Sequence, residues 1–278
     1  MTDRRYIVNI KCVIVIYNMQ CEDSRCLVSI LKLKTQKLNL IVCDNSNVSL
    51  FKKNNREFCE ENHIEYIDMQ GNHGLSRAYN KALTKVEKNE WVVLFDQDTR
   101  ISNNYFVELE KSVNTYPHIY IHVPIVKSEK LLMSPSLASK YKVSKTTITK
   151  PGLYTDITAI NSGMAINRKV FTRVGKYNEE IFLDYLDHYF IRQYKKEYDQ
   201  IALFNCVLNQ EFSNNDHSNI TRDLTRFKIY KDDFYQFCKD SARGKLFYLT
   251  KILYRAFKLS YLHHNAVFIK SLVERAKK

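Results

Sequence analysis

Residues 91–98 read WVVLFDQD, running from Trp91 to Asp96 and on to Asp98. Five apolar residues in a row, without alternation, suit a strand buried on both faces. The run stops on two carboxylates at i and i+2, which an extended backbone turns to one side. Upstream, the same pattern recurs at residues 12–17 (CVIVIY) and 38–43 (LNLIVC), and more briefly at 64–68. Helical spacing fills the gaps, near residues 26–34, 51–62 and 75–88. In the last of these Leu75, Ala78, Tyr79, Ala82, Leu83 and Val86 share a face. This β-α-β-α rhythm predicts an α/β fold with a parallel sheet and crossover helices.

Beyond residue 100 the pattern loosens. A helix is predicted over 105–116, a strand over 119–126 and another over 154–166. Residues 127–150 are rich in Ser, Lys and Thr without a period, and read as a mobile loop or a ragged hairpin. A short helix over 169–174 closes at Gly175, a further helix covers 186–196, and from Thr225 the pattern is helical to the end. There is no internal repeat and no low-complexity linker.

Length and composition narrow the classes. The 278 residues fit one large domain or two halves sharing a core. Hydrophobic residues at 45% and charged residues at 26% exclude a disordered chain, a collagen-like fibre and a disulfide scaffold. The six glycines form neither a G-x-G nor a G-x-x-x-x-G-K, so phosphate recognition here cannot use a dinucleotide fingerprint or a P-loop. Seven cysteines, an odd number without C-x-x-C, point to reduced, buried thiols and a reducing compartment. The first apolar run is broken by Lys11, which suits a strand and not a signal peptide. No segment approaches the ~20 apolar residues that span a bilayer. The expectation is a cytoplasmic protein.

The net charge of +13 is unevenly spread. Between Arg243 and Lys278 stand nine basic residues and one acidic residue, Glu274. The basicity is thus a property of the C-terminal segment, which argues against a nucleic-acid-binding face across the body. In that segment Leu246, Leu249, Ile252, Leu253, Ala256 and Phe257 fall at helical spacing. Two readings stay open: a helix packing on the body, or an in-plane helix seeking anionic lipid.

In a doubly wound sheet, ligands bind beyond the carboxyl ends of the strands. Here three such ends are polar: Tyr17-Asn18, Asp44-Asn45-Ser46 and Asp96-Gln97-Asp98. Asp96 and Asp98 offer hard oxygens on one side, suited to Mg²⁺ or Mn²⁺ with positions left for diphosphate oxygens. The plainer alternative is a turn in which Asp96 caps a helix.

The ordered motifs CVIVIYN, NLIVCDNS, GNHGLSRAYNKAL, WVVLFDQDT and the stretch SGMAINRKVFTRVGKYNEEIFLDYLDHYFIRQYKK (162–196) resemble the inverting family 2 glycosyltransferases of the GT-A fold. Within them the rhamnosyltransferase branch, with its D-Q-D-S/T and F-I-D-Y-V-D, is the most similar. The resemblance covers about residues 10–215. It implies a Rossmann-like mixed sheet flanked by helices over residues 1–215. The nucleotide-binding half would be 1–110 and the acceptor half 111–215, followed by a basic, amphipathic helical extension over 216–278.

The resemblance also implies roles. Tyr17 and Asn18 would line the nucleotide pocket, and Asp44 would accept a hydrogen from the pyrimidine base. Gly74, Arg77 and Asn80 would pass under the nucleotide. Asp96 would lie near the ribose and the divalent metal (Mn²⁺ or Mg²⁺), and Asp98 would ligate that metal. The base that deprotonates the acceptor hydroxyl would be Asp187 or Asp184, with Asp187 preferred because it precedes the helix carrying Arg192. Relatives often carry a His after the last core strand. Here Gln210 stands there, and His217 follows as a possible substitute toward metal or diphosphate. The implied reaction moves rhamnose from dTDP-rhamnose, or a hexose from a UDP-sugar, to a glycan or lipid-linked acceptor. The enzyme would sit peripherally on the inner face of the plasma membrane. Two rivals remain: a nucleic-acid-binding protein using the basic tail, and a non-catalytic member of the family.

Overall fold

The apolar runs become strands β1 (Ile10–Ile16), β2 (Asn39–Asp44), β3 (Glu65–Asp68) and β4 (Trp91–Asp96). They lie side by side as β3-β2-β1-β4, all parallel. Helices α1 (Arg25–Leu31), α2 (Ser49–Glu61) and α3 (Gly74–Ala82) form the connections. The structure is a computed structural model describing residues 8–33, 38–129, 131–211 and 219–274. Both faces of the sheet are covered, which is why these strands are apolar throughout. Val13 and Val15 of β1 face Ala78 and Tyr79 of α3 in one core layer. Cys12, Ile14 and Ile16 face Cys26 and Leu27 of α1 in the other.

The second half completes the sheet. After β4 come a two-residue strand β5 (Thr99–Arg100), helix α4 (Asn103–Thr115) and β6 (Ile121–Ser128). Residues 127–150, expected as a loop or hairpin, fold as the hairpin and more: β7 (Leu131–Ser134), β8 (Ser136–Ala138) and β9 (Val143–Thr147). The strand expected over 154–166 is interrupted. It is divided among β10 (Gly152–Tyr154), β11 (Ile157–Thr158) and β12 (Met164–Asn167). The break before β12 is a turn through Asn161, Ser162 and Gly163, the last with a left-handed φ of 75°. Helices α5 (Val170–Arg173) and α6 (Leu186–Tyr194) precede the long strand β13 (Ile201–Gln210). In the main sheet β12 runs antiparallel between β4 and β6, while β13 pairs parallel with β6 and antiparallel with β10. A separate three-stranded sheet is ordered β11-β8-β9. All seven cysteines are free and buried, as the sequence predicts.

The C-terminal segment folds as α7 (Ile220–Cys238), α8 (Ala242–Leu262) and α9 (Val267–Lys270). One face of α8 is a packing face: Ile252, Ala256 and Leu259 join Phe227 of α7 and Phe268 of α9 in a small core. Arg255 lies 3.9 Å above the ring of Tyr230. A second face is left in solvent, with Leu246, Leu249, Leu253, Phe257 and Tyr261 between 43% and 81% exposed. Lys251 and Lys258 are exposed on a third. The two readings of this helix therefore concern different faces of it. Among the described residues no helix is long and apolar enough to cross a membrane.

The α7–α8 turn depends on one close approach. A Cβ on Gly244 would overlap the Cys238 carbonyl oxygen and come within 2.8 Å of the Tyr141 ring. The oxygen is backbone and cannot step aside. Gly244→Ala is expected to destabilise the protein by about 1–3 kcal/mol, as overpacking does. A urea unfolding midpoint equal to wild type would show that the turn is not so constrained.

Candidate active site

The carboxyl ends of β1 and β4 open into a cleft of about 600 Å³. Its floor carries Val15, Tyr17, Asn45, Asp96 and Asp98, Gly74 and Leu75 form one wall, and α7 supplies the opposite side with Thr225, Arg226 and Ile229. The strand ends are tied to one another by backbone donors. The Tyr17 N–H donates to Gln97 Oε1 at 2.9 Å, and the Asn18 N–H to Ser46 Oγ at 2.9 Å. Asn18 adopts a left-handed φ of 46° and accepts from the Asn47 N–H. Tyr17, 42% exposed, is left to present its ring to the cleft.

Asp96 and Asp98 are partly buried at the end of β4. Burial raises the Asp96 carboxyl to about 7, the Asp98 charge adds to the rise, a hydrogen bond from Gln210 opposes it, and Asp187 raises it further. Asp98 is likewise raised, chiefly by burial. Gln210, at the end of β13, donates from Nε2 to Asp96 Oδ2 at 2.7 Å. Its own Oε1 is buried without a partner, and so is Asp98 Oδ1. Unpaired buried oxygens beside a carboxylate pair fit a hard divalent cation that completes its shell with ligand oxygens. Asp96, Asp98 and Gln210 would hold it. Among the described residues no three His, Cys, Asp or Glu side chains gather into a metal-binding group. His217 lies outside the described residues.

The acidic loop before α6 lines the cleft with Phe182 and Leu183, beside Gly74 and Leu75, while Asp184 and Asp187 lie outside the cleft lining. Asp184 is ion-paired to Arg226, Oδ1 to Nη2 at 2.9 Å, and its Oδ2 is buried and unpartnered. Asp187 opens α6, accepts from the His188 N–H at 2.7 Å, and stands 3.8 Å from His188 Nδ1. His188 itself bonds Thr158 Oγ1 through Nδ1. Asp187 is near enough to Asp96 to act on it electrostatically, whereas Asp184 has a cation in contact.

Several expected nucleotide-site residues are engaged elsewhere. Asp44 is fully buried, and its two oxygens accept from the Ser46 N–H, Asn55 Nδ2 and the Tyr66 hydroxyl at 2.8, 2.8 and 3.0 Å. The neighbouring residue on the cleft wall is Asn45. Asn80 donates both amide hydrogens, to the Tyr177 carbonyl and Glu179 Oε1, and accepts from the Tyr177 N–H. It fixes the 177–179 segment and lies outside the cleft lining. Arg77 extends toward Glu179, Nε to Oε2 at 3.6 Å, and is half exposed. Gly74 does reach the cleft. Its φ is 81°, and a Cβ there would stand 2.5 Å from the Phe182 carbonyl oxygen. That carbonyl accepts the Leu75 N–H at 2.8 Å, so only glycine permits the contact between α3 and the acidic loop.

Other cleft residues escaped the sequence reading. Thr225 and Arg226 lie on α7, some 130 residues after the D-Q-D step, in a helix whose pattern announces only packing. Asn45 belongs to the strand-end turn Asp44-Asn45-Ser46. In the sequence Gln210 stands out only as a departure from the pattern of relatives.

The family model for "Glycosyl transferase family 2" matches residues 12–175. A dTDP-rhamnosyl transferase, RfbF of Shigella flexneri, is 29% identical over 187 residues, covering 64% of this chain and 60% of the relative. The chain thus spans less than two thirds of that relative's length. Among solved structures, a mannosyltransferase from Pyrobaculum calidifontis in complex with GDP-Man and Mn²⁺ superposes with a TM-score of 0.60 at 14% identity, covering 85% of this chain and 66% of that one. GalNAc-T7 with UDP, GalNAc and Mn²⁺ gives 0.61 at 12%, covering 93% and 59%. S. aureus TarS 1–349 in complex with UDP-GlcNAc gives 0.55 at 14%, covering 82% and 67%. These likenesses show the shared GT-A fold: a mixed sheet flanked by helices. With the family model matching more than half of its length, the chain belongs to glycosyl transferase family 2.

Proposed function

We propose that this chain transfers a sugar with inversion from a nucleotide-sugar donor, rhamnose from dTDP-rhamnose, to a surface-polysaccharide or lipid-linked glycan. The observation that carries this reading is the Asp96-Gln97-Asp98 step, which turns two carboxylates with raised pKa into a cleft large enough for a nucleotide sugar. The donor assignment draws on the similarity to the Shigella flexneri dTDP-rhamnosyl transferase. A UDP-hexose donor is the second reading, favoured by the fold shared with TarS and its UDP-GlcNAc complex. The acidic strand ends disfavour nucleic acid as a ligand.

In this reading Tyr17 and Asn45 flank the base and ribose, and Gly74 lets the backbone close beside the diphosphate. A bound divalent cation, held by Asp96, Asp98 and Gln210, would supply charge stabilisation to the leaving diphosphate. The acceptor hydroxyl attacks the anomeric carbon from the face opposite the diphosphate. Its proton passes to Asp187 as the carbon–oxygen bond to the diphosphate breaks. Asp187 is preferred as the base because Asp184 must first part from Arg226. Arg226, on the cleft wall, gives the diphosphate a positive neighbour.

The second face of α8 supports a membrane-borne acceptor. Its exposed apolar stripe is bordered by Lys251 and Lys258, and no acidic residue occurs between Ser241 and Val273. Such a surface suits the cytoplasmic leaflet, where each basic residue near anionic lipid contributes up to about 1 kcal/mol. The seven free thiols agree with a reducing compartment.

Three measurements test these assignments. Asp98→Ala is expected to remove the Mn²⁺-dependent part of dTDP affinity in calorimetry, and Asp96→Ala to weaken it less. Unchanged affinity in the Asp98 variant would reduce the pair to a turn. Asp187→Asn should lower kcat by roughly 10²–10⁴-fold with donor affinity retained. A larger loss in Asp184→Asn would reverse the order of the two carboxylates. The combined substitutions Leu249→Glu, Leu253→Glu and Phe257→Glu alter only the exposed face of α8. They should release the protein from anionic vesicles in co-sedimentation, and wild-type binding should itself weaken as the Debye length falls from ~10 Å at 0.1 M salt to ~3 Å at 1 M. Equal sedimentation of the two proteins would remove α8 from the membrane reading.

A further inference from the structure

The acidic loop has no regular secondary structure of its own between Phe182 and Tyr185, yet its backbone is held at close range from a distant helix. Asp233 of α7 is fully buried. Its Oδ1 accepts the Phe182 N–H at 2.7 Å, and its Oδ2 accepts the Leu183 and Asp184 N–H groups, each at 2.8 Å. Three successive amides around one anion form the concave arrangement known as a nest. Without Asp233 those part-buried amides would lose their acceptor. The same helix holds the following residue. Tyr185 has a left-handed φ of 63°, and its ring lies 4.8 Å from Phe234 and 4.9 Å from Phe237. A tyrosine in that region is strained unless its surroundings fix it.

We infer that Asp233 is a positioning residue for transfer: it locks the 182–185 backbone, whose Phe182 and Leu183 line the cleft, and so fixes where Asp184 and Asp187 stand beside it. The inference rests on the reading of that loop as the source of the base. Two details support a positioning role over generic packing. Among the described residues, the hydrogen bonds of Asp233 go to main-chain groups of the acidic loop and to nothing else. On the far side the loop is pinned as well, by the Leu75 N–H on the Phe182 carbonyl, so its freedom is removed from both directions. Burial also raises Asp233 to about 6 while the three amides oppose the rise, as expected where a buried carboxylate depends on its donors.

The test uses the full chain with Asp233→Asn, which keeps the side-chain size but leaves one oxygen for three donors, and Asp233→Glu, which displaces the carboxylate by one methylene. Three quantities are read: hydrogen exchange of the 182–184 amides, dTDP affinity with Mn²⁺, and dTDP release from dTDP-rhamnose with octyl rhamnoside as acceptor. The expected result for Asp233→Asn is exchange faster by at least about tenfold, confined to that loop. Displacement of about 1 Å at a reacting group costs on the order of 10²-fold, so kcat should fall about 10–100-fold. The dTDP affinity and the donor KM should stay within about twofold of wild type. Asp233→Glu should show the same pattern to a smaller degree, and it decides the matter alone if the Asn variant does not fold. Wild-type amide protection with wild-type kcat overturns the inference. So does a loss of dTDP affinity in step with kcat, which would mean a general defect of the fold. A wild-type protein that releases no dTDP counts against the dTDP-rhamnose reading and turns the same assay to UDP-sugars, while the exchange data still judge the clamp separately.

Discussion

Mutual repulsion of the partly buried carboxylates at the end of β4 is the constraint around which the candidate site is arranged. Asp96 and Asp98 line the cleft, Asp187 is near enough to add to the repulsion, and among the described residues the direct counterweight at Asp96 is one neutral amide, from Gln210. The cost can be read as linkage. The Asp96 carboxyl moves from an ordinary value of 3.8 to about 7 in the folded state. The folded protein therefore holds this proton more tightly, and the contribution of Asp96 to stability declines as pH rises across that window. A bound cation reverses the sign locally, because it favours the ionised pair. The ligand then expected is one that arrives with a cation and needs one, which a nucleoside diphosphate does.

Most of this frame was legible in the sequence. A parallel strand packed on both faces has no place for polar side chains except at its ends. The runs at residues 12–17, 38–43 and 91–95 therefore marked both the strands and, where each run stopped, the rim of the cleft. The resemblance added the order of the remaining elements, and the mixed sheet with its antiparallel β12 followed that order. Residues 127–150 gave less away. Leu131, Leu132 and much of β9 are partly or fully exposed, so their alternation carries no burial pattern, and their pairing is decided by tertiary contacts.

Side-chain partners were the least legible part of the site. Asp44 and Asn80 are polar residues at motif positions, and from sequence they read as ligand contacts. In the fold each also bonds its neighbours, Asp44 the Ser46 N–H, Asn55 and Tyr66, and Asn80 the 177–179 segment. Nothing local distinguishes a polar side chain that binds a ligand from one that braces the wall behind it. Asp233 is the same difficulty in reverse. An acid within a helix rich in Lys, Arg and aromatics reads as a solvated charge, and only the fold brings three amides of a loop about 50 residues away onto it.

The α7–α8 pair connects the two ends of the proposed reaction. The helices run antiparallel, so the C-terminal end of α8 returns to the start of α7, where His263 Nε2 and Asp223 Oδ2 meet at 2.9 Å. That end of α7 is also the one that lines the cleft, through Thr221 and Thr225. In the membrane reading of the proposed function, the stripe on α8 therefore belongs to a helix packed on the one that lines the cleft. The same helix that α8 packs upon holds the acidic loop through Asp233, so in the proposed reading the surface that would receive the acceptor and the carboxylates that would act on it are referenced to one element. Separate placement of those two functions on loops would allow them to drift relative to each other, and transfer tolerates little such drift.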